Sequence, residues 1–475
     1  MPNSKMPEFT WQQLEEITGG RWRRKPDAGC GAKVCGVCDD SRSVAAGMLF
    51  LAIRGANVDG HDFLEKAIEQ SAAAVCVETG RLSDTRLKAF NKHPVPILEV
   101  PDTLAAYHAL ANAWRCSCRQ TTVVGITGSS GKTSLRAILE SIARVAFGDD
   151  KVLATEENTN NEFGVPRNLL RLTPGHKVAI IELGTNHPGE IARLAAMTQP
   201  DVGVITAIGR GHLEFFGSVD DVAREKADLL RALPPTGIAV IPDACPGIDV
   251  LQAAAGNRRT LRFGSTAEAD FSVLYHGRRQ GSTDYELTIK SKLVNFPEVV
   301  AWPVGGQYQA RNAAAAVAVA RLLEIDPENI IEGLKKATLP GMRMRIERKY
   351  GCNWINDAYN ANPDSMQAAV EWLAELTENE DNPNNNVWLV LGDMLELGTA
   401  APEEHEKLLL FAREKLPCAE IVAVGQQMSA VARKLKLTGY KNVADAAKTI
   451  LAQLTPGDWI LLKGSRAMKL ERLLE

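Results

Sequence analysis

Residues 128–133 of this chain have the types and spacing of a phosphate-binding loop: Gly128-Ser129-Ser130-Gly131-Lys132-Thr133. In such loops, backbone N–H groups and the next helix N-terminus bind phosphate oxygens, lysine balances their charge, and threonine binds Mg²⁺. The usual motif has its first glycine where this chain has Ile126, so the loop is a shorter variant. The run TTVVGIT (121–127) predicts a preceding strand, and a helix is expected from near Ser134. This order predicts nucleotide phosphate binding; the alternative is an ordinary glycine turn with an exposed lysine.

Two further polar residues lie at or just beyond predicted strand ends. Glu182 ends the strand VAIIE (178–182), and His212 follows the strand VGVIT (202–206). Because ligands of parallel sheets bind beyond the carboxyl ends of the strands, both side chains are candidate metal ligands. Mg²⁺ prefers oxygen, which favours the glutamate over the histidine. The alternatives are a strand-capping acid and a hydrogen-bonded loop histidine.

Lys226 lies in the predicted helix DDVAREKADLL. Taken alone, it is predicted to be a solvated helix lysine.

The surrounding elements predict an α/β protein of three domains. Residues 1–115 mix helices and strands. Residues 116–338 alternate strands and helices, which predicts a parallel sheet of the P-loop ATPase type; the short strands TLRF, FSVLY and YELTIK are expected to form an antiparallel appendage. Residues 339–475 alternate the strands WIND, VWLVLG, EIVAVG and WILLKG with helices, which predicts a Rossmann-like, doubly wound sheet.

Composition narrows the class of protein. The 475 residues are 45% hydrophobic and 24% charged, as in soluble globular proteins, and no run approaches the roughly 18 apolar residues of a membrane span. The N-terminal residues lack the pattern of a secretory signal, so a cytoplasmic protein is expected. A net charge of −4 argues against a nucleic-acid-binding face. The nine cysteines have no regular spacing, which suits free thiols in a reducing compartment. The alternative for Cys30, Cys35 and Cys38 is a small metal site.

A series of segments, in order along the chain, resembles the motifs of the Mur ligase family. They are DSRSVAAGMLFLAIRGANVDGHDF (40–63), TGSSGKT (127–133), NTNNEFGVPRNLLRL (158–172), IELGTNHPGEI (181–191), GHLEFFGS (211–218), INDAYNANPDSM (355–366), LGDMLELG (391–398) and KGSRAMKLE (463–471). The last three are most similar to the branch of the family that adds D-alanyl-D-alanine.

The chain also departs from the family pattern at four positions. Glu157 replaces a glycine, Tyr308 and Gln309 replace the His-Asn pair of many relatives, and Gly211 replaces an alanine. The first change affects the turn before Asn160, and the pair affects the expected adenine contacts.

The resemblance implies an ATP- and Mg²⁺-dependent ligase of peptidoglycan synthesis, which joins D-alanyl-D-alanine to UDP-N-acetylmuramoyl-tripeptide through an acyl phosphate. Both partners are small molecules; no nucleic acid or membrane insertion is implied, and a monomer is expected. It implies catalytic roles for Lys132, Glu182, His212 and Lys226, of which the last three, with Thr133, are expected to hold metal once Lys226 is carbamoylated. The loop residues 128–133 with Asn312, Arg343 and Asp357 are implied to bind ATP, and Ser41, Arg42, Asn160, Asn161, Asn360 and Asn362 to bind the other substrates.

Two other functions compete with this one. A ligase that adds the third amino acid would be expected to carry Asp-Asn-Pro-Arg in its C-terminal domain, where this chain has LGDMLELG. A P-loop switch would bind nucleotide without ligating anything. Phosphate release that requires both peptide substrates would distinguish a ligase from such a switch.

Overall fold

The computed structural model describes residues 6–27, 31–83, 94–280, 282–296, 299–378 and 385–475. Backbone contacts divide the chain into two compact units. The first unit comprises residues 1–125, 149–183 and 192–201, and the second comprises 126–148, 184–191 and 202–475.

The N-terminal segment is a mixed α/β structure, as predicted. Its elements are β1 (Glu8–Thr10), α1 (Trp11–Thr18), β2 (Arg21–Arg24), β3 (Lys33–Cys35), β4 (Val37–Cys38), β5 (Leu49–Leu51), α2 (Leu64–Glu69), β6 (Ala74–Glu78), β7 (Ile97–Val100) and α3 (Thr103–Ser117). Strands β4 to β7 are parallel neighbours, and β2 joins the sheet edge antiparallel to β7. The apolar strands pack against α2, with Phe50, Leu64 and Val75 fully or almost fully buried. Cys35 and Cys38 are free thiols, and Cys30 lies outside the described residues.

The middle of the chain alternates strands and helices, as predicted. Its elements are β8 (Thr122–Thr127), α4 (Lys132–Phe147), β9 (Val152–Ala154), α5 (Gly164–Leu169), β10 (Val178–Glu182), α6 (Glu190–Thr198), β11 (Val202–Ile205), α7 (Leu213–Phe216), α8 (Val219–Arg231), β12 (Ile238–Pro242), α9 (Ile248–Ala255), β13 (Arg259–Gly264), β14 (Phe271–Arg278), β15 (Tyr285–Ser291), β16 (Val300–Trp302), α10 (Gln307–Leu322) and α11 (Pro327–Lys335). The sheet order is β16-β15-β14-β13-β12-β11-β8-β10-β9.

The antiparallel appendage is smaller than the sequence predicts. Strands β14, β15 and β16 pair antiparallel, but β13, which contains TLRF, is parallel to both β12 and β14. The helix α9 connects β12 to β13 and carries the chain back to the end of the sheet at which β12 began. Strand β13 therefore runs parallel to β12. The prediction that TLRF belongs to the antiparallel part is therefore wrong.

The C-terminal segment forms the predicted doubly wound sheet. Its elements are β17 (Arg345–Lys349), β18 (Cys352–Asn356), α12 (Pro363–Glu378), β19 (Val387–Gly392), α13 (Ala401–Lys415), β20 (Glu420–Val424), α14 (Gln426–Lys434), β21 (Thr438–Tyr440), α15 (Val443–Gln453) and β22 (Trp459–Lys463). The order is β17-β18-β22-β19-β20-β21, parallel except at the edge strand β17. The carboxyl ends of β18, β22 and β19 are therefore neighbours. Among the described residues, no helix is long and apolar enough to cross a membrane.

Candidate active site

The predicted phosphate loop connects β8 to α4, and the helix begins at Lys132 rather than near Ser134. Gly131 precedes the helix with φ 84°, a left-handed conformation that suits glycine. Ser129 N donates to Ala207 O at 2.9 Å, and the Thr206 hydroxyl donates to Ser130 O. Sequence reasoning missed Thr206; its position directly after β11 was the available signal. A Cβ on Gly128 would overlap the Thr206 hydroxyl, so the loop requires glycine at position 128.

Helix α10 supports the other side of the loop. A Cβ on Gly131 would lie 2.7 Å from Asn312 Oδ1, so the buried amide of Asn312 packs closely against the loop. Asn312 Nδ2 donates to Gln309 Oε1 at 2.9 Å, and the Tyr308 hydroxyl is hydrogen-bonded to the Ser130 hydroxyl. Burial raises the pKa of Tyr308 to about 12, so this phenol is neutral at physiological pH. Tyr308 and Gln309, two of the residues that depart from the family pattern, therefore contact or support the phosphate loop.

Lys132 and Lys226 lie close enough for their charges to interact. Lys132 Nζ donates to Gly128 O at 2.7 Å. Lys226 is 1% exposed, so the prediction of a solvated lysine is wrong. Burial, and then the charge of Lys132, lower the pKa of Lys226 well below its usual value, although Glu225 opposes the shift. This arrangement favours an uncharged amine.

Glu225 fixes the helix that carries Lys226. Its carboxylate accepts from Gly189 N at 2.6 Å and from Ile191 N at 2.8 Å, at the start of α6. A buried carboxylate bound to N–H groups at a helix N-terminus also interacts favourably with the helix dipole. Glu225 therefore sets the position of α8, and the sequence reasoning missed it.

Two residues of the C-terminal segment reach the phosphate loop. Arg343 Nη2 donates to Thr133 Oγ1 at 3.3 Å, and the guanidinium stacks 3.8 Å above the Tyr359 ring. Asn362 Nδ2 donates to Ser129 O at 3.3 Å. Both were predicted site residues, and the structure brings them to the loop.

Asp357 and Asn360 follow β18 and are held by a lysine that the sequence reasoning missed. Lys463, 3% exposed at the end of β22, donates to Asp357 Oδ2 and lies 3.4 Å from Asn360 O. The other carboxylate oxygen of Asp357 accepts from Met344 N at 3.1 Å. Because β18 and β22 are adjacent and parallel, their carboxyl ends bring this cation and carboxylate together.

His212 has φ 56° and precedes α7. Its Nδ1 lies 2.6 Å from Glu396 Oε2, and Glu214 N donates to Glu396 O at 3.0 Å. The imidazole lowers the pKa of Glu396. A carboxylate commonly lies beside one ring nitrogen of a metal-binding histidine. His212 and Glu396 have this proximity, although Nδ1 makes no hydrogen bond among the described residues.

The remaining predicted residues lie in the first unit. Glu182 is fully buried at the end of β10, and its backbone N donates to Thr155 Oγ1 at 2.9 Å. Ser41 is buried, whereas Arg42 is exposed and pairs with Asp40 at 2.7 Å, which holds the pKa of that carboxyl at about 2.

The segment with Asn160 and Asn161 is organised by a buried asparagine. Asn168 Oδ1 accepts from Glu156 N at 3.1 Å, and its Nδ2 donates to Thr159 O at 2.8 Å. Asn160 is partly exposed. Asn161 Oδ1 accepts from Gly164 N, the first residue of α5, at 2.9 Å. Asn168 therefore ties together the backbone on both sides of Asn160 and Asn161, a role that sequence reasoning missed.

Comparison with known proteins identifies the family. Three family models match: the Mur ligase family catalytic domain at residues 33–115, the Mur ligase middle domain at 126–320, and the Mur ligase glutamate ligase domain at 342–466. The chain is 32% identical over 474 residues to the UDP-N-acetylmuramoyl-tripeptide–D-alanyl-D-alanine ligase of Escherichia coli K12, covering 99% of this chain and 98% of that one. This chain belongs to the Mur ligase family.

Solved Mur ligase structures share the fold. A crystal structure of MurF from Acinetobacter baumannii superposes with a TM-score of 0.88 at 30% identity, covering 99% of this chain and 98% of that one. MurF from Thermotoga maritima in complex with ADP gives a TM-score of 0.76 at 27% identity, covering 92% and 96%. The expected α/β fold of the Mur ligases is confirmed.

The backbone at one departure from the Mur ligase pattern is left-handed. Glu157 stands where the family has glycine and has φ 46°. A left-handed backbone is readily adopted by glycine but strained in glutamate, so Glu157 holds this turn at a cost in free energy.

Proposed function

We propose that this protein joins D-alanyl-D-alanine to UDP-N-acetylmuramoyl-tripeptide with hydrolysis of ATP to ADP and phosphate, a step of peptidoglycan synthesis. The observation that carries the proposal is the similarity over almost the whole chain to ligases of this reaction, at 32% identity to the E. coli enzyme. The contacts of Arg343 and Asn362 with the phosphate loop support it, because they connect the C-terminal segment to the loop.

The reaction has two steps. A terminal carboxylate oxygen of the tripeptide attacks the γ-phosphorus of ATP, ADP leaves, and an acyl phosphate forms. The neutral amine of D-alanyl-D-alanine then attacks the acyl carbon, and the tetrahedral intermediate expels phosphate while the amine loses a proton. Phosphoryl transfer between anions depends mainly on charge neutralisation and positioning.

Lys132 and the backbone of residues 128–133 are assigned to the ATP phosphates. Asn312, Arg343 and Asp357 are assigned to the rest of the nucleotide. Ser41, Arg42, Asn160 and Asn161 are assigned to the UDP-tripeptide, with Asn360 and Asn362 assigned to the dipeptide. Arg343 is suited to its role because a guanidinium presents several donors to anionic oxygen.

Thr133, Glu182, His212 and carbamoylated Lys226 are assigned to Mg²⁺. The carboxylate of Glu396 beside His212 Nδ1 fits this role, since metal-binding histidines commonly have a carboxylate near the ring nitrogen that does not bind the metal. Burial of Lys226 also fits: its neutral amine attacks CO₂, a C–N bond forms, one proton is released, and an anionic oxygen donor results. When bound, Mg²⁺ neutralises charge on the phosphate oxygens during transfer.

Three domains, 1–115, 116–338 and 339–475, are proposed for the chain, and the three family models at 33–115, 126–320 and 342–466 support this division. We further propose that the protein acts as a monomer and is cytoplasmic, the latter because ATP and UDP-linked precursors are cytoplasmic metabolites.

Phosphate release tests the proposed function. Purified protein should release phosphate from ATP only when UDP-tripeptide and D-alanyl-D-alanine are both present, and mass spectrometry should detect the UDP-pentapeptide. Parallel assays with the lysine and diaminopimelate forms identify the preferred tripeptide. Phosphate release that is indifferent to the peptides would instead support a nucleotide switch. Ligation of a single amino acid to a UDP-dipeptide would support a ligase of the third residue.

A further inference from the structure

Arg210 lies in the loop between β11 and His212, and its polar groups face two carboxylates of the C-terminal segment. Its backbone N donates to Asp364 Oδ2 at 2.8 Å, and Nη2 donates to Asp364 Oδ1 at 2.7 Å. Nη1 donates to Glu404 Oε2 at 2.8 Å. Asp364 and Glu404 lie in the first turns of α12 and α13, so one arginine connects the loop to two helices.

These ion pairs are shielded from solvent more than surface pairs are. The Arg210 side chain is 27% exposed and that of Glu404 is 8% exposed. Charge-assisted hydrogen bonds to a fixed guanidinium are directional, so they restrain the loop in one arrangement. Because its donors already bind carboxylates, Arg210 is not placed to bind a phosphate of ATP.

The same loop is attached to the phosphate loop. Ser129 Oγ donates to Gly209 O at 3.3 Å, and Gly209 N donates to Ser129 Oγ at 3.0 Å. A Cβ on Gly209 would overlap Asp364, so the carboxylate packs directly against the backbone. Arg210 therefore stands in the chain between Gly209, which contacts Ser129, and His212. The C-terminal helices hold it through Asp364 and Glu404.

We propose that Arg210 is a positioning residue for ligation: its bonds with Asp364 and Glu404 hold residues 209–212 against the phosphate loop, so that His212 and Ser129 are in place only while the C-terminal segment is docked. This inference rests on the proposed ligase function. It couples docking of that segment to assembly of the phosphoryl-transfer site, which limits ATP hydrolysis without ligation.

The test compares Arg210→Met, Arg210→Lys and the control Arg231→Met, which removes an exposed arginine paired with Asp228. Arg210→Met should lower kcat about 100-fold, as expected for displaced catalytic groups. Its KM for ATP should change by a smaller factor than kcat, since the donors of the guanidinium bind carboxylates and, of the described residues of the phosphate loop, only Ser129 is attached to residue 209. Arg210→Lys should recover part of kcat, and the control Arg231→Met should have the same kcat as the wild-type protein.

Hydrogen exchange provides a readout that does not depend on turnover. The amides of residues 209 and 210 should exchange faster in Arg210→Met, whereas those of strand β6 in the first unit should not change. Glu404→Gln combined with Arg210→Met should lose no more activity than Arg210→Met alone.

Unchanged kcat in Arg210→Met, or a reduced kcat without faster exchange in the loop, would overturn the positioning role while leaving the ligase function intact. Absence of ligation by the unmodified protein would overturn the proposed function, and with it this role.

Discussion

Replacement of Lys463 by methionine should destabilise the C-terminal segment strongly. The ammonium group is buried and its counter-charge, Asp357, has a side chain that is 10% exposed. Without Lys463, the carboxylate keeps the N–H of Met344 but loses its cation. Removing one partner of a buried ion pair costs about 3–5 kcal/mol. Asp357 keeps one hydrogen bond and is slightly exposed to solvent. We therefore expect a loss at the lower end of this range, about 3 kcal/mol of the free energy of unfolding.

Urea unfolding at 25 °C, followed by tryptophan fluorescence, measures this change. Trp354 and Trp459 lie on the paired strands β18 and β22 and report on the same sheet. The double variant Lys463→Met with Asp357→Asn should recover most of the loss, since replacing both charges removes the unpaired buried group. ADP affinity should fall in the single variant, because Asp357 is assigned to the nucleotide.

Arg466→Met is the matched control, because its guanidinium pairs with Glu471 but is 53% exposed. Exposed pairs contribute about 1 kcal/mol or less. The reasoning is refuted if Lys463→Met costs no more than this control, or if the double variant is as unstable as the single one.

Four further substitutions test the assignments. Lys132→Ala should preserve the melting temperature within a few degrees but lower turnover at least about 100-fold, through lost charge stabilisation; near-normal turnover would end the phosphate-loop assignment. Lys226→Ala should be similarly impaired, and added formate or acetate should partly restore its turnover. Normal turnover of this alanine variant in bicarbonate-free buffer would exclude a catalytic role for a carbamate on Lys226. Glu157→Gly should stabilise the fold by up to about 1 kcal/mol in urea unfolding, because strain relief outweighs added chain entropy; a loss of stability would contradict this. Burial alone would raise the pKa of Asp458, but its N–H and O–H donors outweigh burial and lower it. Its stabilisation is therefore present above about pH 4 and lost as pH falls through the lower folded pKa, so Asp458→Asn should cost about 2 kcal/mol at pH 7 and flatten the acid limb of stability.

Local patterns predicted the elements that depend on local periodicity. The apolar runs 178–182 and 238–242 match β10 and β12 residue for residue, because a strand buried on both faces requires continuous apolar residues. The start of α4 was predicted two residues late, since Gly131 begins the helix without a side-chain cap. The direction of β13 was missed because strand pairing depends on residues distant in sequence.

Ion pairs across the chain could not be predicted from motifs. Arg210 and Asp364 are separated by 154 residues, and Lys463 and Asp357 by 106. Lys463 and Asp357 are brought together because they follow adjacent parallel strands of one sheet, whereas Arg210 and Asp364 belong to elements of two different sheets. A motif indicates that one member lies at a strand end but not which residue of another strand faces it.

The sequence around Lys226 contains evidence for its burial, although a lysine in a helix is most often exposed to solvent. In helix α8, Val222 lies four residues before it and Leu229 three residues after it, so all three share the buried face. Helical periodicity alone therefore places this lysine among apolar side chains. Burying an amine beside the cationic Lys132 costs folding free energy that a methionine would not. Because such a cost is usually found where a group has a functional role, the burial itself favours a functional amine, and a carbamate would turn this buried amine into a metal ligand.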